Sequence, residues 1–504
     1  MAIEANRSDL KIGVIGVGAM GRGIAQVAAA GGLATVMFDT KAGAAEEARA
    51  FIAKMLDRQV EKNSLSAADA DAAKSRLTVA ATLADLAGCH VVIEAIVENL
   101  EVKRALLREL EGIVTDDAIL ASNTSSIRIA AIAAACRNKS RVAGLHFFNP
   151  VPLMKLVEVV AAPDTDPAVT RALVTVGERM TRTPVVVQDG PGFLVNLGGR
   201  AFYTEGLRIV HERIATPAQV DAIMRDAGGF RMGPFELMDL TGIDVNFPAS
   251  TIIYNGYFQD RRLATSPLHE SLLASGRFGR KTKSGYYRYD ENGNKLDAGA
   301  DAATEARPIE RVALAEPHFP LVAFLQRSGV EIAQGDNSQD PIVAAPIGED
   351  CTAVAARTGA DYRRLIAIDL AGGDVRKRVT VMTAPGADLG LRDRVIARIA
   401  TTGAAVTAIA DSPGFVAQRI RAAVANLGCE MAQIGIAAPA DIDLAMRLGL
   451  NYPLGPLEIA DAMGPKTVLA ILERLQAITG DDRYRPSQWL RRRALLGLAA
   501  RHPG

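Results

Sequence analysis

From the start of the chain to Gln188, short apolar runs alternate with amphipathic stretches long enough to be helices. Runs at 10–15, 34–38, 77–80, 91–96 and 118–122 are strand-like, and strands alternating with helices predict a parallel sheet covered on its faces. Two more apolar runs, 142–147 and 155–160, flank a turn-rich centre with Asn149-Pro150 and Pro152, which predicts a strand–loop–strand unit. The period changes at Asp189-Gly190-Pro191-Gly192-Phe193. Beyond it helices are predicted at 194–213 and at 217–227, the second opened by Thr216 as N-cap with Pro217 in the first helical position. Residues 286–289 with Asn292-Gly293 predict a hairpin.

The pattern then repeats. Residues 411–464 match 189–242 without a gap at an offset of 222, so that Asp189-Gly-Pro-Gly-Phe193 returns as Asp411-Ser-Pro-Gly-Phe415 and Asp239 as Asp461. The segment before this second copy has strand-like runs at 342–345, 364–369 and 378–382 but no Gly-x-Gly-x-x-Gly. The expected architecture is an α/β Rossmann domain (1–188, with a helical arm at 43–75), an all-α substrate and dimerisation domain (189–300), a reduced Rossmann-like unit (301–410) and a second all-α copy (411–504).

The first strand and helix carry the clearest chemistry. Strand 10–15 runs into Gly16-Val17-Gly18-Ala19-Met20-Gly21, and the second strand ends at Asp39, close to where a dinucleotide site places its acid. Gly16 permits the tight turn, Gly18 lets the backbone approach a pyrophosphate, and Gly21 lets the helix pack on the strand. The helix start at Ala19 and Met20 offers N–H groups to phosphates. Asp39 accepts from the adenosine ribose and repels a 2′-phosphate, and Thr40 is not an arginine, so NAD is expected over NADP.

Other candidates lie at strand ends. Glu98 follows run 91–96, and Lys103 lies a turn and a half along the next helix; each is either a cofactor-side contact or an ordinary helix-end charge. Ser122-Asn123-Thr124-Ser125-Ser126 ends the next strand. One hydroxyl must cap the helix from about Ser126, which leaves more small polar residues than a cap requires. His146 and Glu158 lie at similar distances from the turn between their strands. They are either a structural hydrogen bond or a general base with its orienting carboxylate. Asn196 opens the all-α domain, and its counterpart in the second copy is Gln418. No histidine stands at the repeat offset from His146, so one active site per chain is expected. Lys54 belongs to the charges of the helical arm, which are either a solvated face or part of a grip on a long substrate; Lys281 after Gly279 is either a phosphate contact or a solvent-facing charge, and the cluster Arg491-Arg492-Arg493 is either a solvated helix face or a grip on substrate.

Composition narrows the classes. Lys+Arg and Asp+Glu both number 57, which gives no global field for nucleic acid or a membrane surface. Apolar runs fall short of the ~20 residues of a membrane span, and the polar start from Met1 to Asp9 leaves no room for a signal peptide. Cys89, Cys136, Cys351 and Cys429 have no metal-ligand or disulfide spacing and read as buried thiols of a cytoplasmic protein, with no metal expected.

Side by side, these motifs resemble the (S)-3-hydroxyacyl-CoA dehydrogenases. The resemblance rests on Gly16–Gly21, the run from Val92 to Glu98, Ser122–Ser126, His146-Phe147-Phe148-Asn149-Pro150, Lys155-Leu156-Val157-Glu158, the run from Pro191 to Asn196 and Gly233-Pro234-Phe235-Glu236-Leu237. The full layout is similar to long bacterial forms that act on 3-hydroxybutyryl-CoA or on the 3-hydroxyadipyl-CoA of phenylacetate breakdown. Leu197-Gly198-Gly199 departs from the arginine usual in the short forms. The resemblance implies a cytoplasmic NAD-dependent oxidoreductase of fatty-acid and aromatic-acid metabolism, expected as a homodimer. It implies His146 as the base, Glu158 as its partner, Ser125 and Asn196 on the substrate oxygens, Glu98 and Lys103 near cofactor and CoA, and Lys54 as a CoA contact. A Rossmann-type β-hydroxyacid dehydrogenase with a lysine base, and a non-catalytic relative, are the rival readings. The intact His146, Glu158, Ser125 and Asn196 argue against both.

Overall fold

The computed structural model describes residues 4–296, 299, 301–302, 305–333 and 339–503. The expected boundary at residue 300 lies outside the described residues. The chain forms two compact units, one of residues 1–197 with 434–450 and the other of residues 198–433 with 451–504.

The first unit is built on an eight-stranded sheet: β1 (Lys11–Ile15), β2 (Ala34–Phe38), β3 (Leu77–Val79), β4 (Val91–Glu94), β5 (Ile119–Ser122), β6 (Val142–Phe147), β7 (Leu156–Ala161) and β8 (Thr183–Gln188). Their order is β3-β2-β1-β4-β5-β6-β7-β8. The strands run parallel up to β6, and β7 turns back antiparallel to it. β4, β5 and β6 are buried at every position, as a sheet covered on both faces requires. β8 is the edge strand. It alternates buried and exposed positions and carries Pro184, which suits an edge and obscured it in the sequence.

The helices of this unit are α1 (Ala19–Ala30), α2 (Ala44–Glu61), α3 (Ala67–Ser75), α4 (Leu100–Glu111), α5 (Ile129–Ala133), α6 (Pro167–Arg179) and the short α7 (Val195–Gly198). The arm breaks where Ser66 caps α3 by accepting from the Asp69 amide. The helix after the serine-rich loop starts at Ile129, not near Ser126, and no hydroxyl caps it. The amides of Ile129 and Ala130 donate instead to the Asp189 carboxylate, at 3.0 and 2.8 Å. The helix expected at 194–213 divides at Gly199 into α7 and α8.

In the second unit lie α8 (Arg200–His211), α9 (Pro217–Asp226), α10 (Pro234–Thr241), α11 (Ile243–Gly256) and α12 (Pro267–Ala274). Thr216 and Gln219 form a capping box at α9 with Pro217 at its start. Residues 286–289 are pinned to α10 by Asp239, which accepts from the Tyr286 and Tyr287 amides and the Tyr289 hydroxyl. The expected hairpin closes as a single antiparallel bridge, Tyr289 to Lys295.

A six-stranded sheet follows: β9 (Arg311–Leu314), β10 (Glu331–Ile332), β11 (Ile342–Ala344), β12 (Leu365–Ile368), β13 (Arg378–Thr383) and β14 (Ala405–Ile409), ordered β10-β9-β11-β12-β13-β14. Its helices are α13 (Phe319–Arg327), α14 (Cys351–Thr358) and α15 (Leu389–Ala400). The second helical copy consists of α16 (Ala417–Gln433), α17 (Pro439–Leu450), α18 (Pro456–Met463), α19 (Pro465–Thr479) and α20 (Gln488–Leu496), with α17 belonging to the first unit. The fold is thus a Rossmann domain with helical domain, followed by a smaller sheet and the repeated helices.

Candidate active site

The Gly-rich turn joins β1 to α1. Gly16 has φ +82°, and a Cβ there would come 2.8 Å from the Ala95 carbonyl oxygen. A Cβ on Gly21 would come 1.7 Å from the Gly16 carbonyl oxygen, so the helix start can lie this close only with glycine. Gly18 is the N-cap of α1, has no side-chain cap, and faces open space where a Cβ would stand. The first amides of the helix, at Ala19 and Met20, are therefore open to an anionic group. Asp39 ends β2, and its carboxylate accepts from the Val17 and Lys41 amides, each at 2.9 Å. It holds the turn from the side. This donor set fits a dinucleotide pyrophosphate with a carboxylate beside it.

A second layer of charge lies at the ends of β4 and β5. Glu98 Oε1 accepts from the Thr124 hydroxyl at 2.7 Å, the Ser126 hydroxyl at 2.8 Å, and the Ser125 and Ser126 amides at 3.1 Å each. Burial alone would push the Glu98 carboxyl up. The Thr124 hydrogen bond, the Lys103 charge and the Ser126 bond outweigh it and hold this group below the ordinary carboxylate range. The Lys103 ammonium is buried and lies 2.9 Å from both oxygens of Glu94 and 3.4 Å from Glu98 Oε2. The Ser122 hydroxyl also donates to Glu94. Lys103 thus stands behind Glu98, and Glu98 fixes the serine-rich loop.

Antiparallel pairing of β6 with β7 sets His146 opposite Glu158. His146 Nδ1 lies 2.6 Å from Glu158 Oε2. The other carboxylate oxygen accepts from the Leu194 and Val195 amides at 3.1 and 2.8 Å. Glu158 is fully buried and its oxygens are directed by three donors, so it cannot swing away from the imidazole. The rings of Phe148 and Phe193 tilt against His146 at 4.6 and 5.8 Å between centroids. Asn123 Oδ1 accepts from the Phe147 amide at 2.8 Å and ties the serine-rich loop to the histidine strand. Asn196 Nδ2 reaches the Ser125 carbonyl at 3.5 Å, while Ser125 itself is exposed.

His146, Glu158, Ser125 and Asn196 therefore come together within one unit, with Glu98 and Lys103 behind them. Lys54 stands exposed on α2. Lys281 lies in the second unit, where its ammonium pairs with Asp244. Of the arginine cluster, Arg491 pairs with Glu473, and Arg493 stacks 3.3 Å from the Trp489 ring centre and donates to the His502 carbonyl. Glu94, Asn123, Asp189, Phe148 and Phe193 stand within motifs read from the sequence, but no role of their own was assigned to them there. The available signal was a carboxylate ending an otherwise apolar strand, and an aspartate returning at the head of each helical copy. Among the described residues no cluster of His, Cys, Asp and Glu is arranged to hold a metal ion, and no helix is long and apolar enough to cross a membrane. All four cysteines are buried and unbridged.

A Gly-rich turn with its acid, a hydroxyl loop and a buried His–Glu pair define a dinucleotide-dependent dehydrogenase. The chain belongs to the 3-hydroxyacyl-CoA dehydrogenase family: residues 11–190 match its NAD-binding domain, and residues 192–289 and again 414–504 match its C-terminal domain. It is similar to the 3-hydroxyadipyl-CoA dehydrogenase of Escherichia coli K12, with 37% identity over 96% of this chain and 97% of that one. A crystal structure of a 3-hydroxybutyryl-CoA dehydrogenase from Escherichia coli K12 superimposes with a TM-score of 0.85 at 36% identity, covering 97% of this chain and 98% of that one. Human mitochondrial hydroxyacyl-coenzyme A dehydrogenase is 38% identical over 55% of this chain and 90% of its own length. Such shorter relatives match only about half of the present chain.

Proposed function

We propose that this enzyme oxidises a short-chain or dicarboxylic (S)-3-hydroxyacyl-CoA to the 3-oxoacyl-CoA in the cytoplasm, with His146 and Glu158 as the general-base dyad. The observation that carries the reading is the 2.6 Å contact between His146 Nδ1 and Glu158 Oε2, with Glu158 itself immobilised by two backbone amides. Because the carboxylate accepts at Nδ1, the neutral imidazole keeps its proton there and leaves Nε2 as the base. Nε2 takes the proton of the 3-hydroxyl, and Glu158 stabilises the imidazolium that results. Bound NAD supplies the hydride acceptor. The Ser125 hydroxyl and the Asn196 amide hold the substrate oxygens and so fix C3. Phe148 and Phe193 keep water from the far side of the imidazole. Glu98 positions Ser125 through its amide, and Lys103 holds Glu98 in place. Lys54, on the exposed arm, is available to a CoA phosphate.

The names of the two Escherichia coli relatives bracket the acyl group between a four-carbon chain and a six-carbon dicarboxylate. A spectrophotometric panel decides it: NADH oxidation with acetoacetyl-CoA, longer 3-oxoacyl-CoAs and 3-oxoadipyl-CoA. Turnover is expected with acetoacetyl-CoA, 3-oxoadipyl-CoA or both, and weakly with the longer chains. No turnover with any of them overturns the reading.

A further inference from the structure

The arginines of α20 have no part in the dyad site, and the fold does not need all of them. In the internal repeat α20 corresponds to α12, each helix opened by a serine cap, Ser487 and Ser266. On that alignment Arg492 and Arg493 stand where α12 has Ser271 and Leu272, and Trp489 stands where it has Leu268. The same helix thus forms in the first copy without this pair of charges. Their surroundings are also unlike those of the arginines nearby. Arg491 pairs with Glu473, and Arg501 with Asp461. Arg493 is buried, and all three of its guanidinium nitrogens go to carbonyl oxygens. Nε and Nη2 donate to His502 at 2.9 and 2.6 Å, and Nη1 to Trp489 at 3.4 Å. No carboxylate of the described residues meets its charge, and the exposed Arg492 beside it adds a second cation without an ion pair there.

The chain beyond α20 folds back and makes a cleft of these groups. Gly497, at φ +70°, ends the helix, and the Leu498 amide returns to the Arg493 carbonyl at 2.9 Å. The returning segment is tied down at Ala500, whose carbonyl accepts from Trp489 Nε1 at 2.8 Å and whose amide donates to Asp461. It is tied again at His502 by Arg493. Between helix and segment lies a cavity of about 410 Å³, its walls including Trp489, Arg492, Arg493, Leu496, Leu498 and His502. That is room for a small organic molecule. Leu496 is 72% exposed, so one wall is apolar surface that the body of a ligand would take out of water.

The charge on the other wall selects an anion. A helix C-terminus carries partial negative charge and by itself repels one. The two arginines reverse that sign. Burial lowers the Arg493 guanidinium below its ordinary range, the Cys429 thiol opposes this, and the Arg492 charge adds to it. Since the nitrogens of Arg493 are already engaged, it supplies field, while Arg492 has hydrogen bonds to give. One guanidinium fork matches the two oxygens of a carboxylate; a phosphate has more oxygens than one fork can meet. Gln433, on the same wall, gives its oxygen to the Trp489 amide at 2.7 Å, which leaves its nitrogen as a further donor.

We propose that the cleft between α20 and residues 498–503 binds a carboxylate with an apolar body, as in a medium-chain fatty acid. Arg492 takes the carboxylate, Arg493 strengthens the field from behind, and Leu496 and Leu498 cover the chain. The cleft belongs to the second unit and the His146–Glu158 pair to the first, so this site stands apart from the reaction proposed above.

Trp489 is the one tryptophan of the chain, so its fluorescence is a local probe of this wall. Titration of the full chain with octanoate should change that emission saturably. Arg492→Ala, a substitution at an exposed position, should keep the melting temperature and weaken octanoate binding about 10-fold. Leu496→Ala should weaken it about 3-fold, by exposing part of the chain to water. Inorganic phosphate, a head without a body, and 1-octanol, a body without a head, should both bind more weakly than octanoate. Phosphate or octanol binding as tightly as octanoate overturns the proposal, as does a change that does not saturate or that Arg492→Ala leaves intact. A response to anionic phospholipid vesicles but not to octanoate also overturns it and marks α20 as a membrane-facing surface.

Discussion

The two sheets share their last four strands and differ in what stands on them. β5 to β8 and β11 to β14 have the same order, and in both the third strand of the four turns back. Asp189 accepts from the first amides of α5, and Asp411, its counterpart in the repeat, accepts from the Cys351 and Thr352 amides that open α14. The His–Glu pair and the asparagine beside it are gone from the second sheet. Ile368, Thr380 and Ala345 take the places of His146, Glu158 and Asn123, and the register is shifted so that Ile368 faces Val381. The nucleotide end differs in the same way. β9 crosses through α13 to β10 as β1 crosses through α1 to β2, but the connecting turn is Ala315-Glu316-Pro317-His318. His318 caps α13 by accepting from the Leu321 amide, and Glu316 pairs with Arg357. A helix end already capped and flanked by a carboxylate is a poor phosphate site. The aspartate that holds the start of a helix recurs in both halves; the His–Glu pair and the Gly-rich turn occur in one.

The contrast can be broken or sharpened by substitution. The largest effect is expected at His146→Ala, a loss of roughly 10²–10⁴-fold in kcat. NAD affinity by calorimetry should not change, and Ile368→Ala in the other sheet should leave kcat alone. Comparable losses from the two would erase the distinction between the halves. Next comes the pair Asn196 and Gln418. Asn196→Ala should lower kcat with little effect on stability. Gln418 is buried, accepts from the Gly348 amide at 3.0 Å, and donates to the Pro346 carbonyl and to Asp369 at 3.2 and 2.9 Å. Gln418→Ala should therefore cost about 1–3 kcal/mol in urea unfolding, from polar groups left unpaired, at unchanged kcat. A kinetic defect in that variant would place chemistry in the second half.

The smallest effect is a pH slope in the helical copies. Burial pushes the Asp221 carboxyl up to about 7; Glu236 adds to this, and the Tyr287 hydroxyl and the Phe235 and Glu236 amides oppose it. The folded state holds this proton more tightly than the unfolded chain does. The stability it contributes is present in acid, below the ordinary aspartate range, and is lost as pH rises through about 7. Melting temperature should fall between about pH 4 and pH 7 and level off above, with the helical signal as the probe. A flat profile would remove Asp221 as the cause.

How much was legible in advance follows from the range of each signal. The Gly-rich turn and Asp39 were readable because spacing along one strand and helix is local. His146 and Glu158 were readable because two strands joined by one turn meet in a register that the turn sets. The roles of Glu94 and Asn123 escaped because each stands at the end of an apolar strand and depends on partners from other elements. The start of α5 was misplaced because its cap, Asp189, lies far along the chain and competes with hydroxyls close at hand. The repeat was visible from residue 411, yet the strands show the same offset back to β11. Apolar residues exchange freely within a sheet, so only backbone geometry preserved that earlier part. The place of α17 in the first unit left almost no local trace beyond a glycine at 449 where the first copy has Ala227.

The membership of α17 in the first unit also sets a timetable for the ribosome. The strands carrying His146 and Glu158 are complete once residue 161 has emerged, but the helix that closes their edge begins much later, at Pro439. At bacterial and eukaryotic elongation rates this delay is roughly 15–60 s. Throughout it, the nascent first sheet has α6 on β7 and β8 but not α17. A truncated message, or a chain cleaved ahead of residue 434, would yield a nucleotide-binding sheet without its closing helix.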